Sequence, residues 1–168
     1  ERRCREVLLT IPAVRSETFR RLYDHVGGGT TYPVQNMIEH PSSGPSFYQY
    51  ALEKTPTSAT FRMVAGQDLQ DAPKVRQRIA RCDDHSALLE LLESTPPGEA
   101  EALVERIVEG GEQWHLSKAF DVLQSREELA RRPAVWRPFL NAGHRPMRRR
   151  ALRQLRTHTL NKVAPDGA

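Results

Sequence analysis

The stretch Glu99–Leu140 constrains the fold most, because its apolar residues recur at the period of a helix and at no other. Ala100, Leu103, Val104, Ile107 and Val108 follow the i, i+3, i+4, i+7, i+8 pattern, which places them on one helical stripe. Gly110-Gly111 is expected to end that helix with positive φ, where glycine carries no Cβ strain. A second helix follows, with Leu116, Ala119, Phe120, Leu123 and Ala130 as its dry face. It leads to an aromatic-proline landing at Trp136-Arg-Pro-Phe139. Two such stripes across a short break can cover each other or a third helix. The stretch is built for packing and holds no evident catalytic motif.

The rest of the chain extends the pattern. Val7, Leu8 and Ile11, closed by Pro12, suggest one short helix; Phe19, Leu22, Tyr23 and Val26, capped by Ser16, suggest another. Residues 30–46, rich in Pro, Ser and Gly, read as an extended segment lying over a surface. Phe47, Tyr48, Ala51 and Leu52 resume the helical spacing. From Phe61 through Ala65, Leu69, Ala72, Val75 and Ile79 to Cys82 the stripe covers about six turns. Thr57 or Ser58 would cap it, and Asp71-Ala-Pro73 should kink or restart it, with Asp71 as the new cap. Leu88, Leu89, Leu91 and Leu92 form a further short helix, opened by Asp83-Asp84 and stopped by Thr95-Pro96-Pro97-Gly98. The expected fold is all-α: an N-terminal helical and extended arm over 1–44, a three-helix bundle-like core over 45–140, and a basic C-terminal helix and tail over 141–168.

With 168 residues and 38% hydrophobic content, the chain supports one modest core, leaving much surface for solvent or a partner. No apolar run reaches the roughly 18 residues of a membrane-spanning helix. Cys4 and Cys82 are too few and too far apart for a disulfide framework or a zinc knuckle. The chain opens at Glu1 rather than Met, compatible with a removed targeting peptide.

The residues that could carry chemistry read as structural. The six histidines lack metal-ligand spacing. Gly27-Gly28-Gly29-Thr30-Thr31 lacks the Gly-Lys-Ser/Thr ending of a phosphate loop and reads as a connector. Asp83-Asp84-His85 opens a helix, where carboxylates serve free N–H groups and the dipole. No nucleophile elbow is present. The expectation is a protein that is not an enzyme, with no cofactor, no metal and no small-molecule substrate.

Charge gathers at the C-terminus. From Arg145 onward there are seven Arg or Lys and one Asp, giving +6 (7 − 1) out of a net +4, so the remainder carries −2 (4 − 6). Met147, Ala151, Leu152, Leu155 and Leu160 lie among those arginines, as in a basic amphipathic helix. Nucleic-acid phosphates, an anionic lipid surface and an acidic protein groove would all take such a helix. No Phe, Tyr or Trp follows Arg145 to stack on bases or anchor in a bilayer. A protein groove and a merely solvated face both stay open. Trp114 and Trp136 are either core or interface anchors. Together with Phe139, Arg148, Arg149, Arg150 and Arg153 they make up the candidate interface.

The middle of the chain resembles a known family, subunit 5 of the alpha subcomplex of mitochondrial NADH:ubiquinone oxidoreductase, an accessory subunit of respiratory complex I. Leu52-Glu-Lys-Thr-Pro56, then Ala59-Thr-Phe61-Arg62, is similar to the family's Leu-Glu-x-x-Pro and Ala-x-Tyr-Arg at the junction of its first two long helices. Leu103-Val-Glu105 leading to Gly110-Gly111 resembles its Leu-Glu turn before a glycine break, and the distance to Trp136-Arg-Pro-Phe139 resembles its spacing to a closing Trp-x-Pro. The resemblance covers roughly residues 45–140 by pattern reading. An additional segment around Ala80–Gly98, residues 1–44 and the basic tail have no counterpart. The family implies a three-helix bundle on the matrix-side arm, attached to the inner-membrane complex beside its quinone-module subunits. It would have no redox centre and a structural and assembly role. The alternative expectation, from the tail, is a basic helical RNA-associated protein such as a mitochondrial ribosome component.

Overall fold

The helical stripes are where the fold is built, in shorter pieces than their length suggests. The computed structural model describes residues 15–26 and 32–163, and its regular elements are eleven α-helices and one 3-10 turn among those residues. The fold is all-α. The first short helix expected around Val7–Ile11, the Gly27–Thr31 connector and Cys4 lie outside the described residues. Two compact units divide between Ser94 and Thr95, inside the segment expected as one core. Thr95-Pro96-Pro97-Gly98 follows at once: each proline lacks an N–H and biases its predecessor out of helix.

In the first unit, α1 (Ser16–His25) packs on α3 (Pro45–Lys54), with α2 (Tyr32–Ile38) beside α1. Phe19 and Tyr23 meet Phe47 at ring-centroid distances of 5.3 and 5.8 Å, and Tyr23 donates its hydroxyl to the Ala51 carbonyl at 3.4 Å. The remaining helices, α4 (Ser58–Ala65), α5 (Pro73–Ile79) and α6 (His85–Ser94), enclose Leu52, Val64, Leu69, Val75, Ile79, Leu88 and Leu92.

Three local expectations change here. Part of the segment expected as extended is α2, which buries Val34, Met37 and Ile38 at helical i, i+3, i+4 spacing. Pro33 falls in its first turn, where a missing N–H costs nothing. The six-turn stripe breaks after Ala65. The Asp68 carboxylate accepts the Gln70 N–H at 3.1 Å, and the helix restarts at Pro73 with Ala72, not Asp71, in the cap position. Arg76, only 7% exposed, fastens that loop by donating to the carbonyls of Leu69 and Gln70 at 2.6 and 2.7 Å. Thr57 caps α4 as expected by accepting the Thr60 N–H at 3.3 Å, whereas Ser16 is the first residue of α1 and Arg15 is its cap.

The second unit holds the Glu99–Leu140 stretch. Its elements are α7 (Ala100–Gly110), α8 (Gln113–Ser125), α9 (Glu127–Ala130), α10 (Pro133–Trp136), the 3-10 turn Pro138–Leu140, and α11 (Arg145–Val163). The α7 stripe buries Ala100, Leu103, Val104 and Ile107, and that of α8 buries Leu116, Ala119, Phe120 and Leu123. Both α7 and α11 pack on α10 and the 3-10 turn. The extended φ/ψ of Arg126 (−101°, 97°) ends α8, so Leu129 rather than Ala130 reaches the core.

The glycine break works differently from the expectation. Gly110 closes α7, and Gly111 has φ −75° and ψ 144°, an ordinary extended conformation. Space is what requires glycine: a Cβ at 111 would run into the Ile107 carbonyl oxygen and come within 3.1 Å of His115 Cβ.

Candidate interaction surface

The polar residues that could have carried chemistry are occupied with the scaffold. The Asp84 carboxylate caps α6, accepting the Ala87 N–H at 2.8 Å, with Arg62 Nε 3.7 Å away. His115 Nδ1 accepts the Glu112 N–H at 3.1 Å, and Glu112 returns the bond to complete a capping box for α8. His40 Nδ1 accepts the Ser42 N–H at 3.0 Å in the turn before α3. Among the described residues no group of three or more His, Cys, Asp or Glu is placed to hold a metal ion, and no helix is long and apolar enough to cross a membrane.

The seven candidate interface residues separate into three sets. Trp136 and Phe139 are wholly buried, a correction to their place in the candidate interface. Trp136 donates its Nε1–H to the Ala130 carbonyl at 3.0 Å, and both rings pack on Phe120, at 4.7 and 5.4 Å between centroids. Their aromaticity marks core here, because the turns around Pro133 and Pro138 fold the landing inward. Arg148 and Arg150 also face their own unit. Arg148 donates to the Ala142 carbonyl at 2.9 Å; the Arg150 guanidinium lies 4.3 Å from the Phe120 ring centroid and 3.4 Å from Asp121 Oδ1.

Arg149 and Arg153 are exposed, as is Trp114 at 52%, its ring lying over His115. Three residues left out of the candidate set share the exposed side of α11: Arg145, Arg156 and Leu152, the last 44% exposed. A helical projection of the sequence would have found them, since 145, 149, 152, 153 and 156 cluster on one side at 100° per residue. Met147 and Ala151 face the core.

A second polar cluster lies on the first unit. Tyr50 donates its hydroxyl to Asp24 Oδ1 at 2.5 Å, with the Arg20 and Lys54 charges 5.3 and 5.6 Å from its ring centroid. The bond to Asp24 holds the Tyr50 phenol above its ordinary pKa, with desolvation adding to it. Burial does the same for Tyr48. Glu128 moves the other way, lowered by a backbone hydrogen bond and by Arg126.

No protein-family model matches the chain, and no curated protein or solved structure matches it.

Proposed function

We propose that this chain is a non-catalytic helical component of a larger assembly and, on the resemblance of its middle segment, an accessory subunit on the matrix-side arm of mitochondrial NADH:ubiquinone oxidoreductase. The structural half is supported by one observation: the core's polar side chains hold turns and helix ends, while the outer face of α11 presents cations. The complex-level half rests on the motifs. Leu52-Glu-Lys-Thr-Pro56 falls at the junction of α3 and α4, and Gly111 separates α7 from α8. Against the family pattern, α3 and α4 are short, at 10 and 8 residues, and many helices stand in place of three. In this reading the partners are quinone-module subunits, and no small-molecule substrate is bound. Separation of mitochondrial membranes on a native gel, with mass spectrometry of the bands, tests it. Co-migration with complex I is expected; consistent migration apart from it removes the assignment.

The outward arginines favour one rival, a basic RNA-associated helical protein. Its test is a salt-dependent affinity for ribosomal RNA. The comparison belongs with R149E/R153E rather than with a chain lacking 145–168, because Met147 and Ala151 are part of the core and truncation would expose it.

A further inference from the structure

Helix α11 carries two kinds of arginine. Arg148 and Arg150 are committed to the unit's own carbonyl, ring and carboxylate. Arg145, Arg149, Arg153 and Arg156 are exposed, make no ion pair with a described residue, and surround the exposed Leu152. The helix contains no Asp or Glu to offset them. Arg145, Arg149 and Arg153 follow one another at about 6 Å, and the ridge from 145 to 156 runs about 16 Å by helix rise.

We propose that this ridge docks on an acidic surface of a partner protein, with carboxylates at helical-turn spacing around a shallow apolar depression that takes Leu152. The inference deepens the assembly reading above and rests on it. Charge complementarity selects the partner's sign, and the planar guanidinium fork matches carboxylate geometry. Leu152 selects the partner's class. An apolar side chain amid arginines gains nothing from a phosphate backbone, whereas at a protein interface it leaves water. The helix has no Phe, Tyr or Trp to stack on bases or anchor in a bilayer.

The test uses the full chain and a labelled synthetic helical peptide bearing Glu at every fourth position with Leu between, read by fluorescence anisotropy. A uridine 20-mer and phosphatidylserine vesicles run in parallel. The peptide should bind, and more weakly as salt rises. R149E/R153E should weaken it by about tenfold or more, through reversed charge pairing. Leu152→Ser should weaken it by about tenfold, the loss of one buried leucine. Both variants should keep the wild-type melting curve, since the positions are exposed. Absence of peptide binding, or binding indifferent to both variants, overturns the proposal. So does tighter binding to the uridine 20-mer or the vesicles that ignores Leu152→Ser; that outcome assigns the ridge to nucleic acid or membrane. In cells, an R149E/R153E chain that still co-migrates with a large assembly sinks the docking face alone. A wild-type chain that migrates by itself sinks the assembly reading first.

Discussion

Replacing Phe120 by alanine would remove the ring on which the second unit closes. Phe120 is 1% exposed, touches Trp136 and Phe139, and carries the Arg150 guanidinium on its face. Truncating a buried phenylalanine costs about 3–5 kcal/mol. Two aromatic pairs, each worth about 0.5–1.5 kcal/mol beyond area, and a partly exposed cation–π contact of about 0.5–1 kcal/mol point to the upper half of that range. Phe120→Leu keeps most of the apolar volume and should lose about 1.5 kcal/mol. Urea unfolding followed by tryptophan fluorescence reads this unit alone, because both tryptophans of the chain, Trp114 and Trp136, lie beyond Thr95. A change within about ±0.5 kcal/mol for Phe120→Ala would mean that this face is not core.

Further outcomes follow from local geometry. Gly111→Ala should destabilise the second unit by about 1–3 kcal/mol, as for an overpacked site, because the Cβ meets a backbone carbonyl. Gly98→Ala, with nothing within 4 Å, should leave stability unchanged or raise it by up to about 1 kcal/mol; equal effects in urea melts would discard the steric account. Asp84→Ala should cost the first unit about 1–2 kcal/mol through loss of the α6 cap, and Asp84→Asn, which still accepts the Ala87 N–H, much less. The Tyr50 phenol is raised, so its contribution is fully present below the ordinary tyrosine pKa, about 10, and is lost as pH rises through the folded value. Asp24→Asn should bring its ionisation back toward the ordinary value in a tyrosinate absorbance titration; an unmoved curve would remove Asp24 as the cause.

Burial of helical faces was legible in the sequence because it depends on a local period. Ala100 through Ile107, and Leu116 through Leu123, are buried on the expected stripes, and Asp84 and Thr57 cap the helices they precede. Breaks within a stripe were not legible, because period alone does not say where a backbone turns. The face expected over Phe61–Cys82 survives from Ala65 to Cys82 across a full interruption at Gly66–Ala72, since an Asx turn and the buried Arg76 stabilise the loop while Leu69 still reaches the core. Phe61, expected on it, is only half-buried, and Val64 is buried in that helix instead. The same holds at Arg126, where the change of direction moves burial from Ala130 to Leu129.

The cationic face of α11 was legible as a location and not as a residue set. Composition placed cations on the last helix, but inward and outward arginines differ only in their angle around it. Arg150 was indistinguishable from Arg149 until Phe120 and Asp121 were in place beneath it. Trp136 and Phe139 were ambiguous for a related reason: a tryptophan beside proline anchors an interface or closes a core, depending on which way the turn runs. Here Ala130 accepts the indole N–H, and the ring goes inside.

In the proposed role, this protein works as a covered part of something larger. The direct measurement is the size at which the full chain, tagged and expressed at its natural level, elutes after gentle lysis of its source cells. Elution as a large particle, far above the chain's own 19.1 kDa, is expected, with dissociation at high salt and, separately, on R149E/R153E. Elution of the wild-type chain at its own mass would contradict that role.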